Sequence, residues 1–169
     1  MKAARLLATI FFLCCLSPLA GAAGEPLLIE EAGIGPLRIG MSKADLDGLG
    51  MKLTYFPPDE GEVGIYCTDV EVAELKLSLI VEDGVLSRIY FFKPDYATQS
   101  GIKVGDPEKK VRTAYGKALK IERHAYNEGF YLFKLNKQGV GLLFETDRGI
   151  ISSISIGRRP TIGYIEGCL

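Results

Sequence analysis

The chain has one histidine, His124, with Glu122 and Tyr126 two residues to either side. Side chains two apart on a β-strand leave from the same face. An imidazole, a carboxylate and a phenol would then stand together, where proton transfer is chemically possible. A small hydrolase would also need a nucleophile beside that imidazole. Ser152 and Ser153 are the hydroxyls to consider, and nothing in the spacing brings either one there. The plainer reading is a polar strand face, so no residue is assigned a catalytic role. The carboxylates are scattered and nominate no acid–base pair. Gly139-Val140-Gly141 falls within a hairpin rather than ahead of a helix, so it offers no phosphate cradle.

Two other groups of residues carry more. Arg88, Tyr90 and Phe92 alternate along one strand, and arginine and aromatic rings are the types enriched at binding hot spots. They are the candidate binding residues, for contact with a protein or cell-envelope component through an open sheet face. The competing reading is that the second half of the chain, or its tail, covers them. Cys67 and Cys168 are the cysteines outside the N-terminal segment. An even pair in an exported chain reads as a disulfide. Two cysteines and one histidine make a poor metal site, so no metal or cofactor is assigned. Arg158-Arg159-Pro160 reads as a solvated turn rather than an anion grip.

The elements that must position these residues repeat. Gly40, Leu46, Leu77, Gly84, Val85, Leu86, Ser87 and Ile89 match Gly105, Val111, Leu142, Gly149, Ile150, Ile151, Ser152 and Ile154, always 65 positions apart. A constant offset means duplication without net insertion. Each unit opens on a Gly-bounded apolar turn and a short helix. Ser42 is placed to cap the first, with Asp45 in its first turn. Asp106 is expected to cap the second, with Pro107 at the first helical position and Gly116 as the stop. Helices this short need a sheet to lie on.

Strands follow each helix. The second unit reads as Leu119–Tyr126, Phe130–Leu135, Val140–Glu145 and Ile150–Ile156, separated by short Gly-ended gaps that suit tight reversals. The first reads as Leu53–Phe56, Val63–Thr68, Glu74–Val81 and Val85–Phe92, with Pro57-Pro58 as a break. Period-two alternation puts Leu75, Leu77, Leu79, Val85, Ile89 and Phe91 on the helix-covered face, with Val140, Leu142, Phe144, Ile150, Ile154 and Ile156. Leu86, Arg88, Tyr90, Phe92 and Ile151 then fall on the other. Ser87 and Ser152 recur as small residues under packing. The expected fold is α+β: two tandem repeats, each a short helix packed on an antiparallel β-meander. Repeat 1 spans 24–95 and repeat 2 spans 96–169 with a C-terminal strap, forming one compact domain overall. The two sheets either join or pack separately.

Residues 1–23 read as a signal peptide. Lys2 and Arg5 precede an apolar run from Leu6 to Ala20, and Ala20-Gly21-Ala22-Ala23 supplies small residues for cleavage. The run is too short to span a bilayer, which takes about 20 residues, and no later stretch qualifies. Cys14 and Cys15 lack the small preceding residues of a lipidation site. Removing two of the 20 basic residues leaves 18 against 21 acidic ones, a net charge of −3. That excludes the clustered basic footprint of a nucleic-acid binder. Hydrophobic content of 47% excludes disorder. The expected location is periplasmic or secreted.

The head motif Ile39-Gly40-Met41-Ser42-Lys43-Ala44-Asp45-Leu46, with a helix and meander occurring twice over 35–156, resembles the β-lactamase-inhibitor-protein-like fold. That fold is shared with small outer-membrane assembly lipoproteins of the SmpA/OmlA type. The tail Ile165-Glu166-Gly167-Cys168 is similar to that of uncharacterised secreted bacterial proteins ending in apolar-Glu-Gly-Cys. The resemblance implies the fold. Inhibition and barrel assembly do not transfer, because function resides in sites rather than folds. The expected function is therefore a noncatalytic exported binding module. The alternatives are a small secreted hydrolase using His124 and a structural cell-envelope factor.

Overall fold

The computed structural model describes residues 27–56 and 67–168. The segment 1–23 expected to be a signal peptide, with Cys14 and Cys15, and the Pro57-Pro58 break lie outside them. After three short strands, β1 (Leu27–Ile29), β2 (Gly33–Ile34) and β3 (Leu37–Arg38), come helix α1 (Lys43–Asp47) and strands β4 (Leu53–Phe56), β5 (Cys67–Val72), β6 (Leu77–Glu82) and β7 (Val85–Phe91). Strand β8 (Tyr96–Thr98) pairs parallel with β1. Helix α2 (Glu108–Tyr115) then leads to β9 (Lys120–Arg123), β10 (Phe130–Leu135), β11 (Val140–Asp147) and β12 (Ile150–Arg158). Among the described residues no helix is long and apolar enough to cross a membrane.

The two meanders join edge to edge in one antiparallel sheet of eight strands, in the order β4-β5-β6-β7-β12-β11-β10-β9. The seam is β7 against β12, where Phe91, Tyr90, Ile89 and Arg88 face Ile154, Ser155, Ile156 and Gly157. Both helices lie on one face. Leu46 of α1 and Val111 of α2 are fully buried there against Leu79, Ile89, Phe91, Phe144, Ile154 and Ile156. Burying such side chains contributes roughly 1.5–3 kcal/mol each, which holds helices too short to persist alone.

Each helix is aimed by a glycine turn that hydrogen-bonds to the hairpin below it. Gly40 N–H donates to Leu86 O at 2.8 Å, and Gly105 N–H to Ile151 O at 2.9 Å. Leu86 N–H returns to Met41 O at 2.8 Å, and Ile151 N–H to Asp106 O at 2.9 Å. Lys43 N–H donates to Gly84 O, and Glu108 N–H to Gly149 O. Every partner in the second half lies 65 residues beyond its counterpart. Gly40 and Gly105 take φ of 94° and 89°, a region that L side chains resist and glycine enters freely.

The caps divide. Ser42 Oγ accepts from Asp45 N–H at 3.1 Å, as the sequence predicts. Asp106 does not cap α2. Its carboxylate accepts from Lys103 N–H at 2.8 Å and from Lys110 Nζ at 2.7 Å, and Pro107 occupies the N-cap position. The turn before the helix takes up the side chain first.

The alternation is also corrected, at one point in each half. Pairing runs Ile80 to Arg88 and then Val81 to Leu86, so Ser87 is an extra residue in β7. It likewise runs Glu145 to Ser153 and then Thr146 to Ile151, so Ser152 is extra in β12. Each serine forms a β-bulge. An inserted residue turns the alternation over, so Leu86 and Ile151 enter the helix-side core, where alternation alone places Val85 and Ile150. Both hydroxyls satisfy the bent backbone, Ser87 Oγ donating to Val85 O and Ser152 Oγ to Glu145 O, each at 3.1 Å.

The bulge sets a direct test. Ile151 is 1% exposed and Ile150 is 46% exposed. Replacing Ile151 by Ala is expected to cost about 2–5 kcal/mol, and replacing Ile150 about 0.5 kcal/mol or less. Urea denaturation of the two variants gives both numbers, and the reverse order would restore strict alternation.

Candidate functional site

The sheet face away from the helices is divided by a strap, residues 159–168. Cys168 is disulfide-bonded to Cys67 at the start of β5, with Cα atoms 5.3 Å apart at a sequence separation of 101. Closing a ~100-residue loop stabilises by roughly 4–5 kcal/mol in the chain-entropy account. Ile162 packs into a small second core with Tyr131, Phe133 and Leu143. Thr161 Oγ1 and Tyr164 OH both donate to the carboxylate of Glu82, the second at 2.6 Å. Tyr126 OH donates to the Glu166 carboxylate.

Arg88 is the centre of this arrangement. It sits on the strap side of β7, and its side chain is 0% exposed. The sequence expectation of an open face is therefore corrected at this residue. Nε donates to Ser155 Oγ at 3.0 Å, Nη1 to Tyr164 O at 2.8 Å and Nη2 to Glu145 Oε1 at 3.1 Å. A longer contact of 3.4 Å joins Nη1 to Thr161 O. The guanidinium carbon lies 4.1 Å from the centre of the Tyr90 ring, within the range where a cation is drawn to a π face. Gly157 stands opposite Arg88 and leaves the side chain its space; a Cβ there would come within 3.2 Å of Arg88 Cγ. Burial pulls the guanidinium below its ordinary pKa, while Tyr90 and Glu145 hold it up.

Glu145 links Arg88 to the histidine. His124 Nε2 lies 3.7 Å from Glu145 Oε2, and its ring stacks on Tyr131 at 4.4 Å. Glu145, not Glu122, is the carboxylate nearest this imidazole. Glu122 is exposed on β9, in an ion pair with Lys120. Tyr126 offers its backbone N–H to His124 Nδ1 at 3.1 Å. A neutral imidazole has one acceptor nitrogen. That nitrogen is Nδ1, already occupied, so the remaining proton sits on Nε2 and faces the carboxylate. The ring has no free lone pair for a nucleophile. Ser153, paired with Glu145 across the strands, is buried with its hydroxyl unpartnered, as is that of Tyr131. Ser152, the other candidate hydroxyl, bonds to the bulge. Among the described residues no cluster of His, Cys, Asp and Glu could hold a metal ion.

The other two candidate binding residues lie beyond the strap. Tyr90 and Phe92 stack with ring centres 5.7 Å apart. Phe92 is 51% exposed, and Phe56 at the end of β4 is 52% exposed. These two phenylalanines flank a cleft of about 330 Å³ that is also lined by Asp69, Glu71, Lys76 and Ser78. Burial raises the Asp69 pKa above the usual carboxylate range. Sequence reading missed Asp69 and Phe56. The signal available was their phase, since register places both on the face of Arg88 through Ile80. Arg158 is not wholly solvated, because its Nε donates to Ser87 Oγ at 3.1 Å.

No family model matches the chain, and no curated protein does. Among solved structures it is similar to that of the uncharacterized protein yfeY from Escherichia coli, at 19% identity, covering 79% of this chain and 99% of that one, with a TM-score of 0.47. The similarity names no family.

Two outcomes follow from the buried cluster. Arg88→Ala leaves Glu145 without its partner and frees two strap carbonyls, so a loss of about 3–5 kcal/mol is expected in chemical denaturation. Tyr90 is pushed from 10.0 up to about 12 by burial, against the opposing pull of Arg88. A pKa raised by folding stabilises below the unfolded value, and that contribution is lost as pH rises through the folded one. Stability is expected to fall between pH 10 and about 12. Tyr90→Phe should flatten that fall in denaturation curves taken across the interval.

Proposed function

We propose that the protein is an exported, noncatalytic binding module that contacts a protein or envelope polymer through the part of the sheet face its strap leaves open. One observation carries this reading: on the face that the strap crosses, Phe92 and Phe56 stand half exposed on either side of a cleft, with Tyr90 stacked behind Phe92. Of the three residues first nominated, Phe92 makes contact. Tyr90 supports it by stacking, and Arg88 supports Tyr90 from beneath. Arginine here acts as a floor rather than as a contact.

The same reading includes two further elements. The contacts recurring at an offset of 65 support an origin by duplication of one helix-plus-meander unit, covering 24–95 and 96–169. The Cys67–Cys168 bond supports residence in an oxidising compartment, periplasmic or secreted, reached by cleavage of residues 1–23. A hydrolase centred on His124 gains no support, because Nδ1 already accepts from Tyr126 N–H, Nε2 lies 3.7 Å from the Glu145 carboxylate, and among the described residues no serine hydroxyl hydrogen-bonds to the ring. A purely structural envelope role has no observation of its own.

The test uses the exported chain, residues 24–169, immobilised and challenged with purified cell-wall polymer and with solubilised envelope proteins. Phe92→Ala paired with Phe56→Ala is expected to lower retention of the bound component about tenfold or more, the effect of losing one or two hot-spot rings. Thermal stability should be nearly unchanged, since both rings are half exposed. Equal retention by the variant would overturn the assignment of this face.

A further inference from the structure

We propose that the protein self-associates by pairing β9 with β9 of a second copy, antiparallel, with Ile121 opposite Ile121 of that copy. β9 is one of the two edges of the eight-stranded sheet, and all four of its residues are exposed. An uncovered edge presents unpaired N–H and C=O groups, a template for another strand.

The hydrogen-bond phase of β9 selects which residues can pair outward. His124 N–H donates inward to Gly129 O at 3.0 Å. In an antiparallel ladder successive residues alternate between neighbours. Lys120 and Glu122 therefore bond towards β10, and Ile121 and Arg123 turn their backbone groups outward. Leu119 also turns outward, but its N–H goes to Gly116 O at 3.3 Å, leaving only its carbonyl. A twofold axis through Ile121 uses all of these groups except the Arg123 carbonyl, whose partner would be the engaged Leu119 N–H. Ile121 exchanges two N–H···O bonds with its copy, and each Arg123 N–H meets Leu119 O of the other chain.

Charge then selects the register. With Ile121 on the axis, Lys120 stands opposite Glu122 of the second copy, and Glu122 opposite its Lys120. Opposite charges directly across a sheet stabilise, and like charges destabilise. Keeping the outward phase, the nearest slips move the pairing by two residues. One slip puts Glu122 on Glu122 and the other puts Lys120 on Lys120. A slip of one residue breaks the phase, and in one direction sets Lys120 against Arg123. The Lys120–Glu122 ion pair within each strand would join its copy in a ring of alternating charge. On the helix side an apolar row crosses the sheet through Phe91, Ile154, Phe144 and Leu132 and ends on Ile121. Ile121 is 39% exposed, and pairing continues the row into the second copy. The contact buries less than the roughly 1,000 Å² of a stable interface, so association is concentration-dependent.

Cysteine cross-linking tests the register. Ile121→Cys in the exported chain is expected to form a covalent dimer under mild oxidation, much faster than Lys120→Cys or Glu122→Cys alone. A mixture of Lys120→Cys and Glu122→Cys should yield the mixed dimer. In sedimentation over a wide concentration range, Glu122→Lys should weaken association about tenfold, the scale of two reversed cross-strand pairs. The double exchange of Lys120→Glu with Glu122→Lys should restore it. Equal cross-linking at all three positions, a monomer at every concentration, or growth past the dimer would each overturn the proposal.

Discussion

A fully buried guanidinium holds the rest of this structure to its plan. Taking Arg88 out of water costs several kcal/mol unless its donors are met and its charge is balanced. The balance comes from Glu145, the π face comes from Tyr90, and one hydroxyl comes from Ser155 across the seam. The remaining acceptors are main-chain oxygens of Thr161 and Tyr164, so the strap must lie where it does for the arginine to be dry. The disulfide and the Glu82 contacts hold that strap in place. Seam, strap and crosslink are thus parts of one arrangement, and Gly157 contributes by having no side chain.

Much of the frame was legible in the sequence because it rests on local chemistry. The Ser42 cap, the glycine reversals, the β10 to β12 meander and the Cys67–Cys168 pairing all follow from residues a few positions apart or from cysteine parity. What was not legible depends on insertion or on distance. Ser87 and Ser152 look like small residues in an alternating strand, yet each is a surplus residue that inverts the pattern around it. Strict alternation would put Val85 and Ile150 in the core, and Leu86 and Ile151 fill it instead. Arg88 looked exposed because a charged residue beside two rings ordinarily is. Its acceptors come from β11, β12 and the strap, 57 to 76 residues on, and no local pattern foretells them.

The histidine shows a related limit. Spacing grouped His124 with Glu122 and Tyr126, and two of the three do meet. Tyr126 hydrogen-bonds to the imidazole through its backbone N–H, and its ring stands edge-on at 6.4 Å. The strand ends at Arg123, so the alternation that would align the trio stops before His124. The carboxylate comes instead from β11, two strands in from the edge. An apparent acid–base group becomes a packed polar layer that joins β9, β11 and the strap.

The sheet's strand order sets a timetable for its making. Chain growth delivers β4 through β7 as a half-sheet, and β7 then carries Leu86, Ile89 and Phe91 along a bare rim. Its proper neighbour, β12, follows only after β8 through β11 have been made. Ladders between distant segments close late, and an unpaired rim invites stray partners in the meantime. The most central strand of the finished molecule is therefore its most vulnerable one at birth, and the arrival of Ile154 and Ile156 ends that exposure.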